Sequence, residues 1–256
     1  LGEKTIIAWT DRTANFWMGC QKVSDGCKHC YAETLVRDRM GLNAWGPSGT
    51  RIAAKGIYAK MRSWNKQTEG GARGKGWPLL VFVGSLMDWA EDHPALAPLR
   101  AKMWDTIRDS PNLDFQLLTK RADRIEQCLP KDWGSGYPNV WLGVSVEDMR
   151  VASRLDSLRR IPATVRFVSY EPALGPLDGA DLLGIDWVIY GGESGPGYRA
   201  HDLDWARRMR AECDRLKIAF FYKQSAAPRT EMGIELDGKI VRAWPTPRTI
   251  SRPVLF

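Results

Sequence analysis

No apolar run in the 256 residues approaches the roughly 18 needed to cross a bilayer, so no membrane partner is expected. The amino terminus carries no charged-then-apolar secretion signal, and the cytoplasm is the expected compartment. Internal repeats are absent, and the one low-complexity tract is the glycine-rich run 70–76. Cysteine is scarce and odd in number: Cys20, Cys27 and Cys30 fall within eleven positions, while Cys128 and Cys213 stand far away. That pattern is not a disulfide framework. Histidine is scarcer still, at three residues.

What is present is ordinary for a globular chain: 44% hydrophobic and 26% charged residues exclude a disordered or fibrous protein. A chain of 256 residues can bury one large core, so a single domain over 1–227 is expected, with a C-terminal extension at 228–256. Short apolar runs at 5–9, 79–84, 115–119, 140–144, 165–170, 187–190 and 218–222 show little polar alternation, which suits strands covered on both faces. Between them, 94–109, 148–160 and 203–217 read as amphipathic crossover helices. This alternation predicts an α/β fold with a parallel sheet, either a complete or partial barrel or a doubly wound sheet.

The strand ends favour the barrel. Ser85 and Asp88, Lys120 and Arg121, Ser145 and Glu147, Glu171, Glu193, and Lys223 each follow or close a predicted strand. In a parallel barrel those ends open onto one face, where active sites are built. Beyond the strands, Asp237-Gly238 marks a hairpin in the extension.

Charge concentrates in an insertion at about 45–77. Between Arg51 and Trp77 seven basic residues, among them Lys60, Arg62, Lys66 and Arg73, face Glu69 alone. Tyr58, Trp64 and Trp77 are interleaved with them, and Trp64 and Trp77 are the stacking candidates. Basic side chains with aromatics suit a polyanion whose bases stack, so nucleic acid is an expected partner; the other reading is a solvated loop or a lid. Trp9, Trp17, Trp89, Trp141 and Trp187 are expected in the core or pocket wall.

In a reducing compartment, clustered thiols point to metal or cluster ligation, because thiolates are strong ligands for soft metals. Three thiolates from Cys20, Cys27 and Cys30 on a four-iron cluster leave one iron open. That iron can chelate the amino and carboxylate groups of S-adenosylmethionine. Structural zinc is the alternative, but it takes four ligands and would need His29, His93 or His201. His29 lies between two of the cysteines, and the other histidines have no partner spacing. Cys128 and Cys213, in helix-like sequence, are expected to act as small apolar side chains.

The segment Cys27-Lys-His-Cys30 resembles the radical S-adenosylmethionine superfamily, whose three cysteines lie in a loop after the first barrel strand. The six residues between Cys20 and Cys27 depart from the usual three, and His29 stands where an aromatic residue is usual. Trp17-Met-Gly-Cys20, Gly26-Cys27-Lys-His-Cys30-Tyr31-Ala-Glu33, Leu118-Thr-Lys120-Arg121, Ser169-Tyr-Glu171-Pro172 and Gly191-Gly192-Glu193-Ser194 look like phage-encoded radical enzymes known by gene-product numbers. The resemblance runs from about Ile7 to Gln224.

It implies a partial (β/α) barrel of six or seven parallel strands, a [4Fe-4S] cluster, S-adenosylmethionine, and an electron donor such as flavodoxin or ferredoxin. By strand order, Ser85 and Asp88 would hold the methionine amino group, Ser145 and Glu147 the ribose, and His29 would lie near the adenine. Glu171, Glu193 and Lys223 would be catalytic. Lys120 and Arg121 would meet the substrate, Arg121 clamping a phosphate or carboxylate bidentately. The implied reaction forms a 5′-deoxyadenosyl radical that takes hydrogen from an unactivated carbon. An isomerase or lyase acting on a phage DNA base is expected, such as an amino-acid-substituted thymine flipped out of its stack. The alternatives are a free nucleotide or small-molecule substrate, or a zinc-stabilised nucleic-acid-binding protein without catalysis.

Overall fold

β-Branched and aromatic runs that are buried on both faces pair here as a parallel sheet, in the computed structural model describing residues 5–68 and 78–248. The strands are β1 (Arg12–Ala14), β2 (Trp17–Met18), β3 (Ile52–Ala53), β4 (Leu79–Val83), β5 (Leu113–Thr119), β6 (Val140–Ser145), β7 (Val165–Tyr170), β8 (Trp187–Gly191) and β9 (Ala219–Gln224). Seven of them form one sheet in the order β1-β4-β5-β6-β7-β8-β9, every neighbour parallel, curled into an open half-barrel. β2 and β3 make a separate two-residue antiparallel ribbon.

The helices are α1 (Tyr31–Glu33), running on as a π-helical stretch Thr34–Arg39, then α2 (Ile57–Gln67), α3 (Leu96–Arg108), α4 (Ile125–Cys128), α5 (Arg154–Arg159) and α6 (Leu203–Leu216). Helices α2 to α6 pack on the convex face, while α1 packs in a separate small cluster beside the mouth. Among the described residues no helix is long and apolar enough to cross a membrane.

Alternation along each strand divides the core in two. Val140, Leu142 and Val144 of β6 pack outward with Trp104 and Ile107 of α3 and Leu155 of α5. Trp141 points the other way, into a lumen shared with Trp9, Phe82, Phe167, Trp187, Ile189 and Phe221. The rings meet edge-on, as between Trp141 and Trp187 at 6.0 Å. Trp17 and Trp89 are buried as well, so all five tryptophans expected inside are inside.

Two expectations change. Residues 5–9 are not a strand; Trp9 plugs the lumen against Phe82 at 4.6 Å, and the edge strand is the short polar Arg12–Ala14. The helix expected over 148–160 is broken into a 3-10 turn, Met149–Val151, and α5. Asp148 causes the early turn by accepting from the Arg150 amide at 2.9 Å.

The extension shields the β9 edge. Tyr222 donates its amide to Val241 O at 2.8 Å, Ala243 donates to Phe220 O, and Leu236 pairs with Lys239 around the expected Asp237-Gly238 turn.

Candidate functional site

The carboxyl ends of β4 to β9 carry the charged side chains expected there, and the crossover from β1 to β4 lays the cysteine segment across them. Cys20 follows β2, Cys27 ends the 3-10 turn Asp25–Cys27, and Cys30 precedes α1. All three cysteines are free and, as residues, only half-buried. Burial pushes the Cys20 thiol up, and Asp88 adds to this. Burial likewise raises Cys30, and the neighbouring Cys27 pushes the same way. Among the described residues no three His, Cys, Asp or Glu side chains are arranged as a metal site. The loop therefore brings the thiols to one face but not to one point.

Two buried carboxylates hold this loop. Glu147, 1% exposed, accepts from Ser24 Oγ at 2.8 Å, from Lys120 Nζ at 2.7 Å and from Arg154 Nη1 at 2.8 Å. Burial raises its pKa, but Lys120 and Arg154 outweigh burial and keep it below the usual range. Glu193 accepts from the Arg199 amide at 2.8 Å and from the Arg199 guanidinium, while His29 Nδ1 lies 3.0 Å away. Burial again opposes ionisation; hydrogen bonds from Arg199 and His29 win and bring Glu193 to about 2. Arg199 also reaches Asp25 O at 3.0 Å, so the 24–30 segment is tied at both carboxylates.

The approach of Glu147 depends on Gly26, where a Cβ would lie 2.4 Å from Glu147 Oε1. Gly26→Ala is expected to destabilise the fold by about 1–3 kcal/mol, seen as a lower urea midpoint. Adding Glu147→Asp, which shortens the carboxylate, should recover part of the loss. An unchanged midpoint in the single variant would remove this contact from the account.

Several expected roles are corrected. Asp88, assigned to the methionine amino group, is already saturated: it accepts from Thr119 Oγ1, from the amides of Ala90 and Lys120, and from Arg121 Nη1 at 2.8 Å. Arg121 is not free to clamp a phosphate, because it also donates to Cys20 Sγ at 3.6 Å and to Gln21 O at 2.7 Å. Trp64 is no exposed stacking platform; it is buried in the convex core with Arg12 5.7 Å from its ring centroid. Arg51, counted in the basic run, is buried too.

Other candidates sit where the strand order puts them. Ser85 Oγ accepts from Asn15 Nδ2 at 2.8 Å, and Ser85 O accepts from Tyr31 OH. Ser145 is buried at the end of β6, with its carbonyl taken by Arg154. Glu171 and Lys223 pair at 2.5 Å across the mouth. Lys60, Arg62 and Lys66 lie exposed on α2, whereas Arg73 and Trp77 fall outside the described residues.

Asn15, Ser24, Glu91, Arg154 and Arg199 were not expected in the site. Asn15, Ser24 and Glu91 act on residues distant in the chain, as does Arg199 through Asp25, whereas Arg154 and Arg199 reach Glu147 and Glu193 only seven and six positions away. At the mouth the cations Lys120, Arg121, Arg154, Arg199 and Lys223 are all matched by Asp88, Glu91, Glu147, Glu171 and Glu193.

No curated protein matches the chain, and no solved structure does. A family profile spans residues 4–245, nearly the whole length. The chain thus belongs to the family described as Protein of unknown function (DUF5131).

Proposed function

We propose that this chain is a radical S-adenosylmethionine enzyme whose [4Fe-4S] cluster would be held by Cys20, Cys27 and Cys30. The observation that carries the reading is three free cysteines on one loop over the carboxyl ends of a parallel half-barrel. The donor types fit: all three are sulfur, and His29, which lies between two of the cysteines in the chain, has its Nδ1 turned to Glu193. The chemistry that such a cluster supplies when bound is one-electron cleavage of S-adenosylmethionine to a carbon radical.

The chain's own residues orient and exclude water. Glu147 and Glu193 hold the cysteine loop over the mouth, and the aromatic lumen below keeps the floor dry. Ser85 and Ser145 remain the candidates for the cofactor's polar groups. Glu171 and Lys223 face the substrate side with opposite charges, which suits a zwitterionic group.

As substrate we propose a nucleic-acid base, such as a thymine carrying an amino-acid substituent; a mouth whose cations are all paired suits it better than a polyphosphate. Lys60, Arg62 and Lys66 on the open face of α2 would then meet the DNA backbone.

Anaerobically purified protein should be brown, hold about four irons per chain and form 5′-deoxyadenosine once reduced. Colourless protein with stoichiometric zinc would sink the proposal and favour the binding protein. DNA affinity should fall steeply with salt, and the slope should flatten by about 0.9 for each of Lys60, Arg62 and Lys66 that is neutralised and meets a phosphate. Salt-insensitive or absent binding would move the substrate to a small molecule.

A further inference from the structure

The gap between Cys20 and Cys27 is long, and a long loop left to itself would not hold Cys20 in place. Cys20 is instead held from outside the loop. Its carbonyl accepts from the Gly46 amide at 3.0 Å, and it bridges Trp45. Gly19, just before it, packs so closely that a Cβ there would lie 2.4 Å from Ala44 O and 3.0 Å from Arg51 Cδ. Gln21, just after it, gives its carbonyl to Arg121.

These contacts share one hidden anchor. Arg51 donates to Ala44 O at 3.2 Å, Gly49 O at 2.6 Å and Gly46 O at 3.2 Å, which shapes the 44–49 turn that meets Cys20. Its Nε and Nη2 make a bidentate pair with Glu91 at 2.8 and 2.6 Å. Glu91 Oε1 also lies 3.5 Å from Arg121 Nη2, the nitrogen that holds Gln21. The side chains of Arg51 and Glu91 are 1% and 2% exposed, so water cannot replace either partner.

We infer that Glu91 is a positioning residue for Cys20: one buried carboxylate joins Arg51, which shapes the turn that meets Cys20, and Arg121, which holds Gln21 and donates to Cys20 Sγ. A pair serving stability alone would not need three of its arginine hydrogen bonds spent on the turn that abuts Cys20. A buried pair is also weak evidence for stability, since apolar residues often replace one without loss. What Cys20 is positioned for rests on the cluster reading; that Glu91 positions it does not.

The test is amide hydrogen exchange on the full chain without added iron. In Glu91→Gln, exchange over 19–21 and 44–49 should rise about tenfold or more, while 24–31 and the barrel strands stay at wild-type rates. Should that variant fail to fold, the double variant Arg51→Met/Glu91→Met replaces the pair with apolar side chains of similar length and should show the same local rise. Unchanged exchange over both segments, or a rise spread evenly over the molecule, would overturn the inference. After anaerobic reconstitution, the folded variant should bind iron about tenfold more weakly. Wild-type protein that takes up no iron would remove the cluster reading and leave the exchange result standing. Normal exchange in an iron-loaded variant would do the reverse.

Discussion

Alanine at Cys20, Cys27 or Cys30, one at a time, is expected to abolish 5′-deoxyadenosine formation, a loss of about a thousandfold or more, and to strip most of the iron. The reason is ligand count: with two thiolates left, a four-iron cluster has two irons without protein ligands, and the assembly is no longer held. Alanine at Cys128 or Cys213 is the internal control. Those thiols are buried, 3% and 0% exposed, against α3 and β9 neighbours in the convex core. Their loss should leave iron and activity intact and cost about 1–2 kcal/mol as small cavities. If the three loop variants retain wild-type iron, the proposed cofactor is gone; if all five behave alike, the thiols are merely packing.

The second large effect concerns stability and pH. Asp114 lies on β5 in register with Leu80, whose side chain belongs to the lumen. Burial alone raises its carboxyl from 3.8 to about 7. Below 3.8 both folded and unfolded chains carry the proton, so Asp114 contributes no pH dependence there. Between 3.8 and about 7 the folded chain keeps a proton that the unfolded chain has released. Stability therefore falls as pH rises through that window and stays lower above it. Asp114→Asn is always neutral, so at pH 8 it should be more stable than wild type by about 4 kcal/mol. At pH 4 the two should differ little. Urea unfolding at both values decides it, and equal pH dependence in the two proteins would show that the carboxyl is solvated.

Much of the fold was legible because its strands are covered on both sides. Runs such as 140–144 and 187–190 need apolar side chains at every position, a pattern hard to produce otherwise. The first strand failed for the same reason. Arg12–Ala14 is an edge strand of three residues with no apolar run, whereas 5–9 is apolar because Trp9 fills the lumen. Trp64 misled in a related way: it lies among basic residues in the chain, but on α2 it shares the inward face with Ile57 and Met61.

The candidate site divides similarly. Its residue types could be read from the strand ends, but their partners could not. Ser24 meets Glu147 across 123 residues, and His29 meets Glu193 across 164. Asp88 reads as available for a ligand in the sequence, but in the fold Thr119, Lys120 and Arg121 surround it. Glu91 carried no signal at all, since a carboxylate in a polar turn is ordinary until two arginines bury it.

By itself, then, the order of amino acids determined the layers of this protein, the polar rim of its barrel and the three thiols on one loop, because periodicity and spacing are local properties. Only the tertiary structure decided which carboxylate grips which segment and that Arg51 and Trp64 turn inward. Such choices depend on where side chains far apart in the chain converge, and on which burial can be compensated by a partner.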